Sequence, residues 1–403
     1  MEGNIPIRSK FKKLELVLII VLSFSFFSSS CSSEKKSDTN EVKGSNVKIS
    51  TNDEGVKIYK NSSKGKVADL TLNPIESFKI IGDPELDENL DSARFFGSAS
   101  DLDFDSEGNL YILDMPRCKV KKFDKDGNFL ASFGNRGTGP GEFVLPNALA
   151  VLKDTIFVAD INARKFSKFN TNGEFIEFTN VTGEMPQYLF STKADNFISL
   201  VNKYQRVDDD MYLSFYLGLF DTKFDSVLAF KGGRRQKLDR DGSFNLLDFY
   251  LPYTWSPKNE RIYVARNSED RYQIDEYDYS GKHISTINKN YIKVKFNAGE
   301  LDDFNTWSQR FYPPTSAVYK KAINTMYFDK YDRLWVAKSI KRDETNKDDL
   351  FLDIFKDGEF LNTVKIDICN GFDYYNEGYQ LFFENERIYL LDLNNAEIVA
   401  YDY

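Results

Sequence analysis

The sequence predicts an all-β fold: a six-bladed β-propeller of four-stranded antiparallel blades, its ring closed by an N-terminal strand that joins the last blade. Three observations predict it. Apolar residues alternate with period two over short runs, and helical periodicity is nearly absent apart from one short turn around Leu301–Arg310. Turn residues separate these runs at hairpin spacing. One four-strand unit recurs along the chain, and radial repetition of such units leaves only short, protected sheet edges.

The first thirty residues are an export address. Arg8, Lys10, Lys12 and Lys13 precede an apolar stretch from Leu16 to Phe27. As a helix that stretch reaches only about 18 Å, short of the ~30 Å hydrocarbon core, so it reads as a signal-peptide h-region. Removing residues 1–30 takes away four basic and two acidic side chains and leaves the remainder more acidic. The polar run from Ser32 to about Ser50 cannot bury a core, so residues 31–55 are expected to form a flexible tether.

Residues 56–403 are expected to form one propeller domain. Residues 99–134 and 146–180 each spell strand, polar turn, second strand (Leu110–Asp114; Ile156–Asp160), third strand, Gly turn, fourth strand. The second strand returns at Asn196–Leu200, Arg261–Ala265, Arg333–Ala337 and Arg387–Leu391. An aromatic residue followed by a polar one closes the third strand at Phe123, Phe169, Phe220, Tyr277, Phe355 and Tyr401, at spacings of 46, 51, 57, 78 and 46 residues. Spacing beyond the 40–45 residues of a four-stranded blade is insertion. The sixth repeat stops after its third strand, and Ser77–Gly82 is the segment expected to supply the fourth. A seventh blade would have to hide in the insertions.

Composition excludes several functions. Lys and Arg number 53 against 62 Asp and Glu, a net charge of −9 with no basic block, which argues against nucleic acid as a partner. A single histidine rules out a His-rich zinc site and leaves a Ser-His-Asp triad without support. With 35 Phe, 23 Tyr and 3 Trp the chain is too aromatic for disorder.

Two resemblances add to this reading. The small residues Ser28-Ser29-Ser30 running into Cys31 resemble the lipobox of bacterial lipoproteins, although Ser28 stands where that family has Leu. The resemblance implies lipidation of Cys31; an ordinary secretory signal cut after Ser30 is the alternative. Ser32 and the nearby Glu34 and Asp38 resemble outer-membrane lipoproteins of the Bacteroidetes type. Phe133–Pro146, flanked by Asp105-x-x-Gly108-Asn109-Leu110-Tyr111-Ile112-Leu113-Asp114 and Phe123-Asp-Lys-Asp-Gly-Asn-Phe-Leu130, resembles an NHL-type repeat. The whole chain resembles the six-bladed propeller lipoproteins of Bacteroidetes, which implies fold and location more than chemistry.

The candidate chemistry is sparse. Asp124-Lys-Asp-Gly127 and Asp239-Arg-Asp-Gly242 open like calcium loops but lack the later oxygens, and D-x-D-G is good hairpin chemistry. Asp114, Asp160 and Asp392 recur at equivalent strand ends, as expected of carboxylates that hold turn amides. His283 falls on a fourth, outermost strand. Cys118 and Cys369 either form a disulfide or stay as two buried thiols. In the Gly134–Glu142 loop, Arg136 and Glu142 either pair or face a ligand. The insertions Gly232–Leu251 and Tyr291–Lys320 lie at fourth-to-first-strand connections and crowd the same face as that loop. Phe304, Trp307, Phe311, Tyr312, Pro313 and Pro314 belong to the second, and Tyr253 and Trp255 follow the first.

The leading expectation is therefore a monomeric, non-enzymatic binding module, lipid-tethered to the cell envelope. It presents Arg136, Glu142, Tyr253, Trp255, Trp307, Phe311 and Tyr312 to a glycan, peptide or envelope protein. No catalytic residue, cofactor or metal ligand is assigned. The alternatives are a lactonase- or lyase-like enzyme with a divalent metal in the central channel, and a structural subunit of an outer-membrane assembly.

Overall fold

The computed structural model describes residues 46–65, 72–82, 96–97, 99–186, 188–192, 195–229, 234–237, 253–266, 268–302, 318–343, 349–367, 379–392 and 396–403. The signal segment, Cys31, Cys369 and the Asp239-Arg-Asp-Gly242 turn lie outside these residues. Three strands precede the repeats: β1 (Val47–Thr51), β2 (Lys57–Asn61) and β3 (Asn73–Ile81). Blade 1 is β4 (Ala99–Phe104), β5 (Leu110–Asp114), β6 (Lys119–Phe123) and β7 (Phe129–Phe133). A short parallel pair, β8 (Asn135–Arg136) and β9 (Glu142–Phe143), leads into blade 2: β10 (Pro146–Leu152), β11 (Thr155–Asp160), β12 (Lys165–Asn170) and β13 (Phe175–Asn180). Blade 3 is β14 (Phe190–Ser191), β15 (Phe197–Val207), β16 (Asp210–Phe220) and β17 (Ser226–Ala229), with β18 (Arg234–Lys237) paired on the far end of β16. Blade 4 is β19 (Tyr253–Lys258), β20 (Arg261–Arg266), β21 (Tyr272–Asp278) and β22 (His283–Lys289). Blade 5 is β23 (Ile323–Phe328), β24 (Arg333–Lys338), β25 (Asp349–Lys356) and β26 (Glu359–Asp367). Blade 6 is β27 (Tyr379–Glu384), β28 (Arg387–Asp392) and β29 (Glu397–Asp402), and β3 takes its fourth place, with Ile81 opposite Glu397.

The first strands β4, β10 and β14 neighbour one another in order, as do β19, β23 and β27, and β27 returns to β4. That circuit of innermost strands makes the fold a six-bladed propeller. Its core lies between blades rather than within them. Tyr111, Leu113 and Val120 of blade 1 pack on Leu149, Ile156 and Phe169 of blade 2, and equivalent clusters join blades 2–3, 4–5, 5–6 and 6–1. The sheets of blades 1, 2, 5 and 6 are thus buried on both faces, which explains second strands that read as unbroken apolar runs such as residues 110–113.

One turn grammar recurs along the chain. The side-chain Oδ1 of Asp105 accepts the amides of Glu107 and Asn109, and the Asp105 amide donates to the Asn109 carbonyl, with Gly108 at a φ of +82°. The same bonds form at Asp124, Asn170, Asp221, Asp278 and Asp329. Side chains that accept turn amides while a left-handed residue reverses the chain are what Asx-type turns require. At Asp124 burial pushes the carboxyl up, but the Asn128 side chain and the turn amides outweigh it; at Asp278 the Ser280 hydroxyl leads and the turn amides add, so both carboxyls sit below the usual range. Asp105 and Asp329 do more: their second oxygens accept the Tyr111 hydroxyl at 2.9 Å and the Trp335 indole N–H at 2.8 Å, satisfying the polar ends of two buried rings.

Two expectations change. The tether does not extend to residue 55, because Val47–Thr51 is a strand. It pairs with β2, and β2 adds in parallel to β22, making a six-stranded sheet in blade 4. Val47 and Tyr59 bury against blades 4 and 5, and that burial outweighs the polar composition of the segment. His283 consequently lies on a strand that is not outermost. Its ring stacks on Tyr277 at 4.9 Å, and its Nε2 lies 3.0 Å from the Ser285 carbonyl and 3.0 Å from Thr286 Oγ1. Cys118 is buried, its thiol 3.8 Å from the Val144 carbonyl.

Candidate functional site at the connection face

In antiparallel blades the fourth-to-first connections share one rim of the ring with the second-to-third turns. First-to-second and third-to-fourth turns share the other. The turn rim is used up by the fold. The Ser106 amide donates to Asp154 of the next blade at 3.2 Å, Lys153 pairs with Asp195, and Tyr279 bonds Thr192. Farther round, Asn259 bonds Asp332 at 3.2 Å, the Tyr331 hydroxyl donates to Glu386 at 2.5 Å, and Arg387 donates to the Lys125 carbonyl at 3.0 Å. Every interblade step therefore has a bond at this rim. The fourth-to-first connections leave and enter the blades at the opposite rim, where 134–145 is described in full and 290–322 at its two ends, 290–302 and 318–322.

The Arg136 loop on that rim is held by its own bonds. Arg136 donates to the Pro116 carbonyl at 2.5 Å, and Glu142 accepts the Gly139 amide at 2.8 Å. The two side chains thus serve different partners and do not pair with each other. Phe143 is fully buried beneath the loop, and a Cβ at Gly134, whose φ is +83°, would meet its ring at 2.5 Å. Tyr253 and Trp255 lie on β19, the innermost strand of blade 4, and not on a loop. Trp307, Phe311, Tyr312, Phe304, Pro313 and Pro314 lie outside the described residues. Before them, Asn297 and Glu300 cap a short helical turn reciprocally, each accepting the other's amide at 2.9 Å.

Two of the recurrent strand-end carboxylates, Asp114 and Asp160, hold backbone amides. Asp160 accepts the amides of Val144 at 2.6 Å, Leu145 at 3.1 Å and Ala163 at 2.9 Å, which fixes the connection entering blade 2. Asp114 accepts the Gly97 amide at 3.1 Å and pairs with Arg117 at 3.2 Å.

Sequence reasoning missed the carboxylates on the innermost strands. Asp101 and Asp103 of β4 accept the Leu149 and Val151 amides of β10 at 2.8 and 2.7 Å. An innermost strand is a sheet edge with unpaired amides, and the preceding blade supplies their acceptors here. Burial pushes Asp101 up to about 8 and Asp103 to about 7, outweighing the amides that favour the charged form, and Glu384 of β27 adds repulsion to Asp103. The alternation Ser-Asp-Leu-Asp-Phe was the available signal: charged residues at two positions of a strand that should face other blades. Among the described residues no group of three or more His, Cys, Asp or Glu is arranged to hold a metal ion.

An all-β ring with one bonded rim and one loop-bearing rim defines the class, a six-bladed β-propeller. Residues 95–289 match the model of the family DUF5128, described as a 6-bladed beta-propeller. No curated protein matches the sequence. Among solved structures, an exported protein of Bacteroides fragilis is 13% identical with a TM-score of 0.49, over 85% of this chain and 98% of its own. A DUF4221 family member from Bacteroides vulgatus is 14% identical with a TM-score of 0.47, over 82% and 97%. Virginiamycin B lyase from Staphylococcus aureus is 11% identical with a TM-score of 0.38, over 89% and 88%.

Proposed function

We propose that this protein is a lipid-anchored, NHL-like propeller of the bacterial cell envelope that acts as a binding module through its connection face. The observation that carries this reading is the asymmetry of the two rims. One is closed by interblade hydrogen bonds and ion pairs at every step, whereas the other bears the long connections over a rigid scaffold. Tyr253 and Trp255 belong to an innermost strand, and aromatic faces suit sugar rings and apolar groups. Anchoring follows from Cys31 behind its h-region, with the outer membrane as the destination.

Retention of envelope extracts on the immobilised protein tests the binding. A defined envelope component should be held by the native chain and lost by Trp255→Ala and Trp307→Ala; equal retention by all three would remove the aromatic face from the account. For the anchor, metabolic fatty-acid labelling should mark the native protein and spare Cys31→Ser, which should appear in the soluble fraction.

A further inference from the structure

Register places one residue of each innermost strand at a common height. Ala99, Pro146, Tyr253, Ile323 and Tyr379 pair with Asp114, Asp160, Arg266, Lys338 and Asp392, the last residues of their second strands. Pro186, bridged to Val201, holds that place in blade 3; the residue after it lies outside the described set. In the other five blades the next residue is Ser100, Asn147, Thr254, Asn324 or Gln380, an uncharged hydrogen-bonding residue in every case. The flanking positions share no such class, running from Ala99 and Pro146 to Ile323 and Leu381 with Asp101 and Thr325 among them.

At Ser100, Asn147 and Asn324 the register shifts by one, so these three residues are the extra members of β-bulges. A bulge gives up ladder bonds and re-aims a side chain, and it commonly does so beside a functional site. Three bulges at one height around an axis point to the axis as their purpose. Two bonds at these positions are long: Ser100 donates to the Leu113 carbonyl at 3.4 Å, and Ser339 donates to Asn324 Oδ1 at 3.4 Å. Both are weak enough to be exchanged for a ligand.

A cation stands beside this ring. Lys321 precedes β23 on the connection rim, and its Nζ donates to the Asn324 carbonyl at 3.4 Å. Burial alone depresses its ammonium, to about 8, with no carboxylate opposing the shift. The amine is still mostly charged at neutral pH, and an anionic ligand group would complete its coordination. A peptide added as a strand is disfavoured where it would meet β10, because Asp101 and Asp103 already occupy the Leu149 and Val151 amides. What is left is recognition by neutral side chains plus one cation.

We propose that the ring binds the end of an acidic saccharide, its hydroxyls held by Ser100, Asn147, Asn324 and Gln380 and its carboxylate by Lys321. This deepens the binding-module reading and rests on it. The test is calorimetric titration of the full-length lipoprotein in detergent with trigalacturonic acid, its trimethyl ester and a tripeptide with a free carboxylate. The acid should bind roughly tenfold more tightly than the ester, the worth of one charge-assisted contact. Lys321→Met should erase that preference while leaving ester affinity in place, and Gln380→Ala should weaken acid and ester alike. If Lys321→Met does not melt cooperatively, Lys321→Gln replaces it. Equal affinity for acid and ester, or a preference that survives loss of the amine, overturns the inference. Binding of the tripeptide alone overturns the saccharide while the binding module stands. Silence from all three probes overturns it as well, with the envelope-retention experiment judging the broader reading separately.

Discussion

Asp353 shows how single residues hold neighbouring blades together. It is fully buried on β25 and is bonded by Lys289 of blade 4 at 2.6 Å, by Lys338 of its own blade at 2.7 Å and by the Thr363 hydroxyl at 2.6 Å. Burial pushes its carboxyl up, but the two ammoniums outweigh that and hold it below the usual range. Asp353→Ala would leave two cations without their counter-ion, one of them 3.6 Å from the Phe360 ring centre, and should cost about 3–5 kcal/mol in chemical denaturation. The triple change Asp353→Leu, Lys289→Met, Lys338→Met should cost far less, because no unpaired charge remains. Asp101 and Asp103 act in the opposite sense. Their folded pKa values, about 8 and about 7, lie above the unfolded carboxylate range, so the folded state binds these protons more tightly. Their contribution is full below about pH 4 and is lost as pH rises through 7 and 8. The melting temperature should therefore fall between pH 5 and pH 8.5, and Asp101→Asn with Asp103→Asn should flatten that slope; an unchanged slope would assign it elsewhere.

At the scale of elements, what was legible depended on how local the signal was. The third-strand markers at Phe123, Phe169, Phe220, Tyr277, Phe355 and Tyr401 all end third strands, because an aromatic that fills the interblade core and a polar residue that opens the turn are both fixed by sequence-local geometry. The hairpin β1–β2 was missed although Asn52-Asp-Glu-Gly55 carries the same turn grammar: Asn52 Oδ1 accepts the amides of Glu54 at 3.0 Å and Val56 at 2.9 Å. Its flanks are lysine-rich, and its partner strand lies more than 220 residues away, so only the tertiary context reveals it. Of the candidate site, the connection face was legible from topology. The bulges and the buried carboxylate stitching were not, because both depend on register between strands. Asn61 carries much of the hairpin's hold, donating to the Gly358 carbonyl at 2.9 Å and accepting the Phe360 amide at 2.8 Å. Asn61→Ala would leave both buried groups unpaired and should cost about 1–3 kcal/mol without changing the urea m-value; a change in m would mean that the hairpin matters to the whole ring.

For the whole molecule, stability rests on closure. Five blades are built from consecutive strands, and the sixth depends on β3, whose Phe78 and Ile80 bury against Tyr389, Leu391 and Ile398. Without β3 the last blade exposes a sheet edge and an apolar face. Urea unfolding of chains truncated from the N-terminus tests this most directly. A chain starting at residue 46 should unfold in one cooperative transition at the midpoint of the intact exported protein, and a chain starting at residue 83 should lose that transition or unfold at a far lower midpoint. Matching midpoints for the two truncations would contradict a ring fastened by its N-terminal strand.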